Sequence, residues 1–305
     1  MRAYVFPGQG SQSVGMLADV AAAYPVVGET FAEASSVLGY DLWQLVQEGP
    51  AEQLNETQRT QPALLTASVA LYRVLEQAGV PAPDFMAGHS LGEYSALVCA
   101  GAMAFTDAVH LVAKRGEYMQ QAVPAGVGSM AAIIGLDDAA VVAACASAAG
   151  DDVVAAVNFN SPGQVVIAGH QAAVQRAGEA CLAAGAKRAL PLSVSVPSHC
   201  ALMQPAAEQL ATELQQIPMQ APRIPVVNNV DVAMPMDADA IRDALIRQLY
   251  SPVRWTETVQ FLAAQGVTTL DEIGPGKVLT GLMKRIDKNL NGEAINTVDA
   301  IVARS

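Results

Sequence analysis

The run Gly88-His89-Ser90-Leu91-Gly92 fits the pattern G-x-S-x-G. It stands between a short apolar segment, residues 85–87, and a helix-patterned stretch, residues 91–100. That setting constrains the fold more than any other feature of the chain. A strand has to pass into a helix through one sharp turn, with glycines where a Cβ would collide with the neighbouring backbone. The serine hydroxyl then stands free at the head of the helix, and the N–H of Leu91 points outward beside it. Two readings follow: a nucleophile held on a strained elbow, or a serine that merely caps the helix.

Periodicity and punctuation outline the rest. Residues 4–6 read as a first strand ending at Pro7. Helices are expected over 24–38, 61–78 and 106–121. After Pro124-Ala125-Gly126 the pattern changes to strand 129–134, helix 137–149, strands 153–158 and 164–168, helix 171–185 and strand 188–193. The order β-α-β-β-α-β is the split, ferredoxin-like arrangement. Helix 201–216, strand 226–228, helices 237–249 and 255–266, strand 269–273 and a last helix from 278 complete the chain. Strands alternating with helices imply a mainly parallel sheet. The expected fold class is α/β, with a discontinuous core of residues 1–124 and 196–305 and a small domain of residues 125–195.

Composition narrows the function classes. The mean hydropathy of +0.28 raises the question of a membrane. The longest apolar stretches, residues 130–136 and 139–149, fall short of the roughly 18–20 residues a span needs. The chain opens with no basic segment ahead of an apolar run, so a cytoplasmic protein without a secretory leader is expected. The formal net charge is −12, which disfavours nucleic acid and anionic lipid as partners. Four widely spaced cysteines form no C-x-x-C pair and suggest neither a metal site nor a disulfide framework. Cys99, Cys145 and Cys181 read as small core residues in Ala-rich helices.

A serine nucleophile needs a base. Of the four histidines, His89 adjoins the serine and suits support of the turn. His110 lies in a helix among apolar residues and reads as structural, and His170 ends a strand of the small domain. His199 follows Pro197-Ser198 where the small domain returns to the core, a good place for a base. Cys200 has no elbow around it. Arg115 is either an ordinary solvated helix residue or a clamp for a substrate carboxylate. Neither Gly8-Gln9-Gly10 nor Gly276-Lys277 completes a nucleotide-binding loop. The first follows a strand and can offer a second oxyanion donor.

These segments, with Thr60-Gln61-Pro62-Ala63, Asn158-Phe159-Asn160-Ser161-Pro162-Gly163-Gln164, Val196-Pro197-Ser198-His199, Val227-Asn228-Asn229-Val230, Arg247-Gln248-Leu249 and Gly274-Pro275-Gly276, occur in one order across nearly the whole chain. Together they closely resemble the malonyl-CoA:acyl-carrier-protein transacylases. The resemblance implies an α/β-hydrolase-like core with a ferredoxin-like insert. It implies Ser90 as nucleophile, His199 as base, the main-chain carbonyl of Gln248 as the group orienting that histidine, and N–H groups of Gln9 and Leu91 as the oxyanion hole. Arg115 becomes the malonyl clamp, with Gln61, Asn160 and His89 in supporting roles. The implied partners are malonyl-CoA and acyl carrier protein, in a ping-pong exchange that calls for no cofactor or metal, and a monomer is expected.

Acyl carrier proteins are acidic, and so is this chain, so a local basic patch is required. Lys284, Arg285 and Lys288, spaced with Lys277 along the last helix, are candidates beside Lys187-Arg188 and Lys114; a merely solvated helix face is the alternative. Two rival readings fit the residues less well. A patatin-like hydrolase needs an Asp-Gly motif that this sequence lacks, and an ordinary α/β-hydrolase places its histidine near the C-terminus, whereas the last one here is His199. A non-catalytic carrier-binding scaffold does not account for Ser90, His199 and Arg115 together.

Overall fold

The computed structural model describes residues 1–194 and 196–305. Ser195, expected as the last residue of the small domain, lies outside the described residues. The described residues form two four-stranded sheets. The first is parallel, in the order β7 (Val226–Val227), β2 (Phe85–Gly88), β1 (Arg2–Phe6), β8 (Thr269–Glu272). These strands are largely buried because both faces are covered, and β8 buries the carboxyl groups of Asp271 and Glu272 as well. Tyr4, Phe6, Met86 and Val226 point into a large helical layer, and Ala3, Val5, Ala87, Val227 and Leu270 point into a second layer with Trp255, Val259 and Met283. Alternation along each strand thus divides one apolar run between two cores.

The second sheet is antiparallel, in the order β4 (Val154–Ser161), β5 (Gln164–His170), β3 (Gly128–Ile134), β6 (Arg188–Pro191). Ile133, Val165 and Ile167 pack under helices Asp138–Ala149 and Gln171–Ala183, the helices that carry buried Cys145 and Cys181. The opposite face, with Met130, Val157 and Val166, packs on Cys200. Alternation along β4 sends Val154 and Ala156 to the first of these cores and Val157 to the second. The end of β4 also bonds to the core: Phe159 N–H donates to Val253 C=O at 3.0 Å, and Val253 N–H donates to Val157 C=O at 2.8 Å. The end of the antiparallel sheet is thereby tied to the segment just ahead of helix Trp255–Ala264.

Several element bounds differ from the expectation. The helix expected from residue 61 starts earlier, as Thr57–Gln77, with Pro62 inside it. Pro62 lies in its second turn, where it cannot donate to the Gln58 carbonyl and its ring crowds that carbonyl. Helices Ala18–Ala23, Leu42–Glu48 and Ala51–Leu54 fill the span before it. The stretch 201–216 is a 3₁₀ turn, Ala201–Met203, followed by helix Gln204–Gln216, whose first turn holds Pro205. Helix Val278–Ile286 is followed by one more, Val298–Val302. Among the described residues no helix is long and apolar enough to cross a membrane.

The elbow depends on contact between backbones. A Cβ on Gly92 would sit 2.0 Å from the Phe6 carbonyl oxygen, and one on Gly88 would sit 1.9 Å from the Gly92 carbonyl carbon. Backbone cannot yield as a side-chain tip can. Gly92→Ala is therefore expected to destabilise the protein by about 1–3 kcal/mol, the ordinary cost of overpacking, read from the urea midpoint. An unchanged midpoint would show that β1 and the helix behind the serine separate freely.

Candidate active site

Ser90 lies two residues beyond β2 and adopts φ 52°, ψ −108°. A side chain pays strain there that glycine would not. Asn229, two residues beyond β7, bonds both sides of the turn: its Oδ1 accepts from Ser90 N–H at 2.8 Å and its Nδ2 donates to Gly88 C=O at 2.7 Å. Helix Leu91–Cys99 begins at the next residue, so the Leu91 N–H belongs to a first turn without intrahelical acceptors. Gln9, three residues beyond β1, lines the same cavity of about 110 Å³ as Ser90, Leu91, Arg115 and His199. All these groups gather at the carboxyl ends of the parallel strands, where open α/β sheets place their ligands.

His199 also has positive φ, 64°. Two carbonyls at the end of helix Ala238–Gln248 hold it: its N–H donates to Leu249 C=O at 3.0 Å and its Nδ1 lies 2.7 Å from Gln248 C=O. A carbonyl only accepts, so the proton is on Nδ1 and the lone pair is on Nε2. Nε2 stands 2.8 Å from Ser90 Oγ, the geometry for taking the hydroxyl proton. Burial, then the charge of Arg115, pushes the His199 pKa down to about 3, so the ring is neutral and its lone pair free.

Arg115 is 1% exposed; the reading as a solvated surface residue fails. Helix Phe105–Ala122 brings it inward because Gly116 lets that helix approach closely: a Cβ there would meet Gln58 Cα at 2.5 Å. Nη1 donates to Gln61 Oε1 at 2.7 Å, and Nη2 donates to Gln248 Oε1 at 2.9 Å and to Ser90 Oγ at 3.2 Å. The Tyr94 ring lies 5.3 Å from the guanidinium carbon. Burying an ion costs several kcal/mol, while hydrogen bonds to a charged group return about 1.5–3 kcal/mol each. The cation is held, but by neutral groups, and its Nε is buried without an acceptor among the described residues. An arriving carboxylate meets a desolvated cation with no acid on it.

Residues 3–300 match the acyl transferase domain family. The chain belongs to that family. It is 69% identical over 301 residues to the malonyl CoA-acyl carrier protein transacylase of Escherichia coli, an alignment covering 99% of this chain and 97% of that protein. Among solved structures, an acyl carrier protein S-malonyltransferase from Vibrio cholerae is 65% identical, with a TM-score of 0.98 over 100% of this chain and 99% of that one. A malonyl-transacylase in complex with a type II PKS acyl-carrier protein is 63% identical, with a TM-score of 0.99 over 99% and 98% of the two chains.

The remaining expected residues of this acyl transferase fall at different distances from the serine. Gln61 touches Arg115 directly. His89 turns away from Ser90: its Nε2 lies 2.8 Å from Asn160 Oδ1, and its ring tilts on Trp255 at 5.5 Å. His89 and Asn160 thus join the elbow to the end of β4. His110, expected among apolar residues, is instead half-exposed and lies 3.7 Å from Glu213, because it sits on the outer face of its helix. His170 Nδ1 accepts from Val153 N–H within the small domain. Lys284 and Arg285 are exposed in helix Val278–Ile286, but Lys277 caps that helix and Lys288 lies beyond it, so no single helical face carries all four. Asn229, Glu93 and the side chain of Gln248 were missed as functional groups. The signal for Asn229 was a pair of asparagines placed directly after an apolar strand.

The sign of the His199 shift gives a test. Unfolded chain takes a proton on this residue near pH 6.5, and folded protein does not until near pH 3. Its share of stability is present above about pH 6.5 and is lost as pH falls, by roughly 1.4 kcal/mol per unit. Between pH 7.5 and 5.5 wild type is expected to lose more melting temperature than His199→Gln. Equal losses would mean that the folded ring titrates at an ordinary value.

Proposed function

We propose that this acyl transferase moves the malonyl group of malonyl-CoA to the phosphopantetheine thiol of acyl carrier protein, through an ester on Ser90. The observation that carries the reading is one oxygen with two partners: Ser90 Oγ lies within hydrogen-bond distance of His199 Nε2 and of Arg115 Nη2. Nucleophile, base and carboxylate clamp meet at one atom. The relatives of high identity carry names that describe the same transfer.

The cycle is ping-pong. The malonyl carboxylate pairs with Arg115 and places the thioester carbon at Ser90. His199 Nε2 takes the hydroxyl proton as Oγ bonds to that carbon. The N–H groups of Leu91 and Gln9 receive the oxyanion. Collapse breaks the C–S bond, and His199 returns the proton to the leaving CoA sulfur. In the second half the carrier thiol gives its proton to His199 and attacks the ester, and Ser90 leaves with that proton. Thioester and ester are near in energy, so water is the main competitor. A narrow cavity and a clamp at its far end favour the thiol.

The two-part division, core 1–124 and 196–305 against small domain 125–195, places the serine on one part and roofs it with the other. Carrier docking is assigned to the basic surface around Arg285. Arg285 Nη1 bonds Gln164 Oε1 across the two parts at 3.1 Å, and Arg188 and Gln164 flank Ile134 on neighbouring strands. Lys284 and Lys187 extend this surface, and Lys288 lies at its margin. A monomer working in the cytoplasm suits the reading.

Acid-quenched labelling tests the chemistry. Wild type is expected to trap malonyl from malonyl-CoA and Ser90→Ala to trap none. Arg115→Ala is expected to lose the preference for malonyl over acetyl; a retained preference would remove the clamp. For docking, Lys284→Glu with Arg285→Glu is expected to raise the KM for carrier protein about tenfold, by loss of charge pairs and steering, with the CoA half-reaction unchanged. An unchanged KM would move the docking surface elsewhere.

A further inference from the structure

Glu93 has no part in the cycle above, yet it lies three residues past the nucleophile and is 2% exposed. Carboxyl groups are rarely buried so deeply without a task for their oxygens. Oε2 of Glu93 accepts two bonds, one from Asn229 N–H at 2.9 Å and one from Gln248 Nε2 at 2.9 Å. The same Nε2 also faces Ser90 C=O at 3.1 Å and Asn229 Oδ1 at 3.5 Å. These three neighbours are all acceptors. An amide oxygen turned toward them would meet only oxygens, so the NH₂ end must face them. The Oε1 end is then turned to Arg115, where it accepts from Nη2 at 2.9 Å.

We propose that Glu93 is a positioning residue for acyl-group selection: through Oε2 it locks the Gln248 amide so that an oxygen, not an NH₂, faces Arg115, and so holds the guanidinium where it receives a carboxylate. The inference rests on the malonyl reading and deepens it by naming the residue that sets the clamp. With Glu93 removed, the amide can flip and turn N–H groups toward the cation. Arg115 then loses one of its acceptors and gains a repulsive neighbour.

Both bonds fall on one oxygen, so the task needs an acceptor and no charge. Burial raises the Glu93 pKa to about 7, against the bonds from Asn229 and Gln248 and then the charge of Arg115, which lower it. Either protonation state accepts at Oε2. The uncharged isostere glutamine is therefore expected to serve, and an apolar residue of similar size is not.

Single-turnover labelling of Ser90 by malonyl-CoA and by acetyl-CoA decides the matter. Glu93→Met is expected to slow malonyl transfer about tenfold relative to acetyl transfer, the scale of one lost hydrogen bond to a charged group. Gln248→Met keeps the main-chain carbonyl on His199 and is expected to lose the same preference. The double variant is expected to lose no more than either single one, because both act through the same contact. Glu93→Gln is expected to retain the preference. Equal slowing of both acyl groups by Glu93→Met would overturn the proposal, leaving Glu93 as support for the elbow alone. Retained preference in Gln248→Met would overturn it as well, and that variant decides the question if Glu93→Met does not fold. Failure of the malonyl reading looks different: wild type then shows no malonyl preference, or Arg115→Ala keeps it.

Discussion

A serine at φ 52° is a strained residue, and strain of order 1–3 kcal/mol persists only where neighbours over-determine the backbone. Here they do so from three directions. The Phe6 carbonyl accepts from His89 N–H at 3.0 Å, which ties the turn to β1. Asn229 spans the turn from Ser90 N–H to Gly88 C=O, which ties it to β7. Gly92 rests directly on the Phe6 carbonyl. The parallel sheet thus has a function beyond its core: three adjacent strands end where they can clamp one turn. The same strand ends deliver Gln9 and Asn229 beside Ser90.

The histidine is oriented by a carbonyl and not by an acid, and the buried arginine gives a physical reason. A carboxylate on His199 would also stand close to Arg115, since both side chains reach the same Ser90 oxygen. It would pair with the guanidinium and fill the place of the substrate's own carboxylate. A carbonyl at a helix C-terminus fixes the tautomer and offers only a partial negative charge. The clamp stays free of a competing ion. Glu93, the buried acid that is nearby, reaches Arg115 only through the Gln248 amide, which screens the pair while passing on the geometry.

Much of this was legible in the sequence because local rules dictated it. The glycines of the elbow, the order of elements in the small domain and the histidine at the domain junction each follow from short-range sterics or pattern. Arg115 was not legible from its own helix, where Lys114 and Glu117 beside it read as a solvated face. Its burial comes from Gly116 and from the early start of helix Thr57–Gln77, a contact between segments far apart in the chain. Only the resemblance to a known family favoured the clamp. Asn229, Glu93 and the Gln248 amide were harder still, because their meaning lies in which end of a planar group faces which neighbour. His110, read as structural, lies on the outer face of its helix beside Glu213 and away from Ser90.

The arginine proposed as the substrate clamp also bears on the proposed base. Arg115 is the second cause, after burial, of the low His199 pKa. Both groups lie within 3.2 Å of Ser90 Oγ. A proton on His199 would therefore stand close to the guanidinium, and like charges at that range repel appreciably in a buried site. In the proposed cycle a malonyl carboxylate on Arg115 offsets that charge, and His199 regains basicity as the reacting carbon arrives. An acetyl group leaves the arginine uncompensated and the histidine a poor base. Selection for a carboxylated acyl group then operates in the transition state as well as in binding. Only interactions stronger in the transition state accelerate chemistry, so in the proposed cycle one buried cation both recognises the substrate and keeps the histidine a weak base until the substrate is in place.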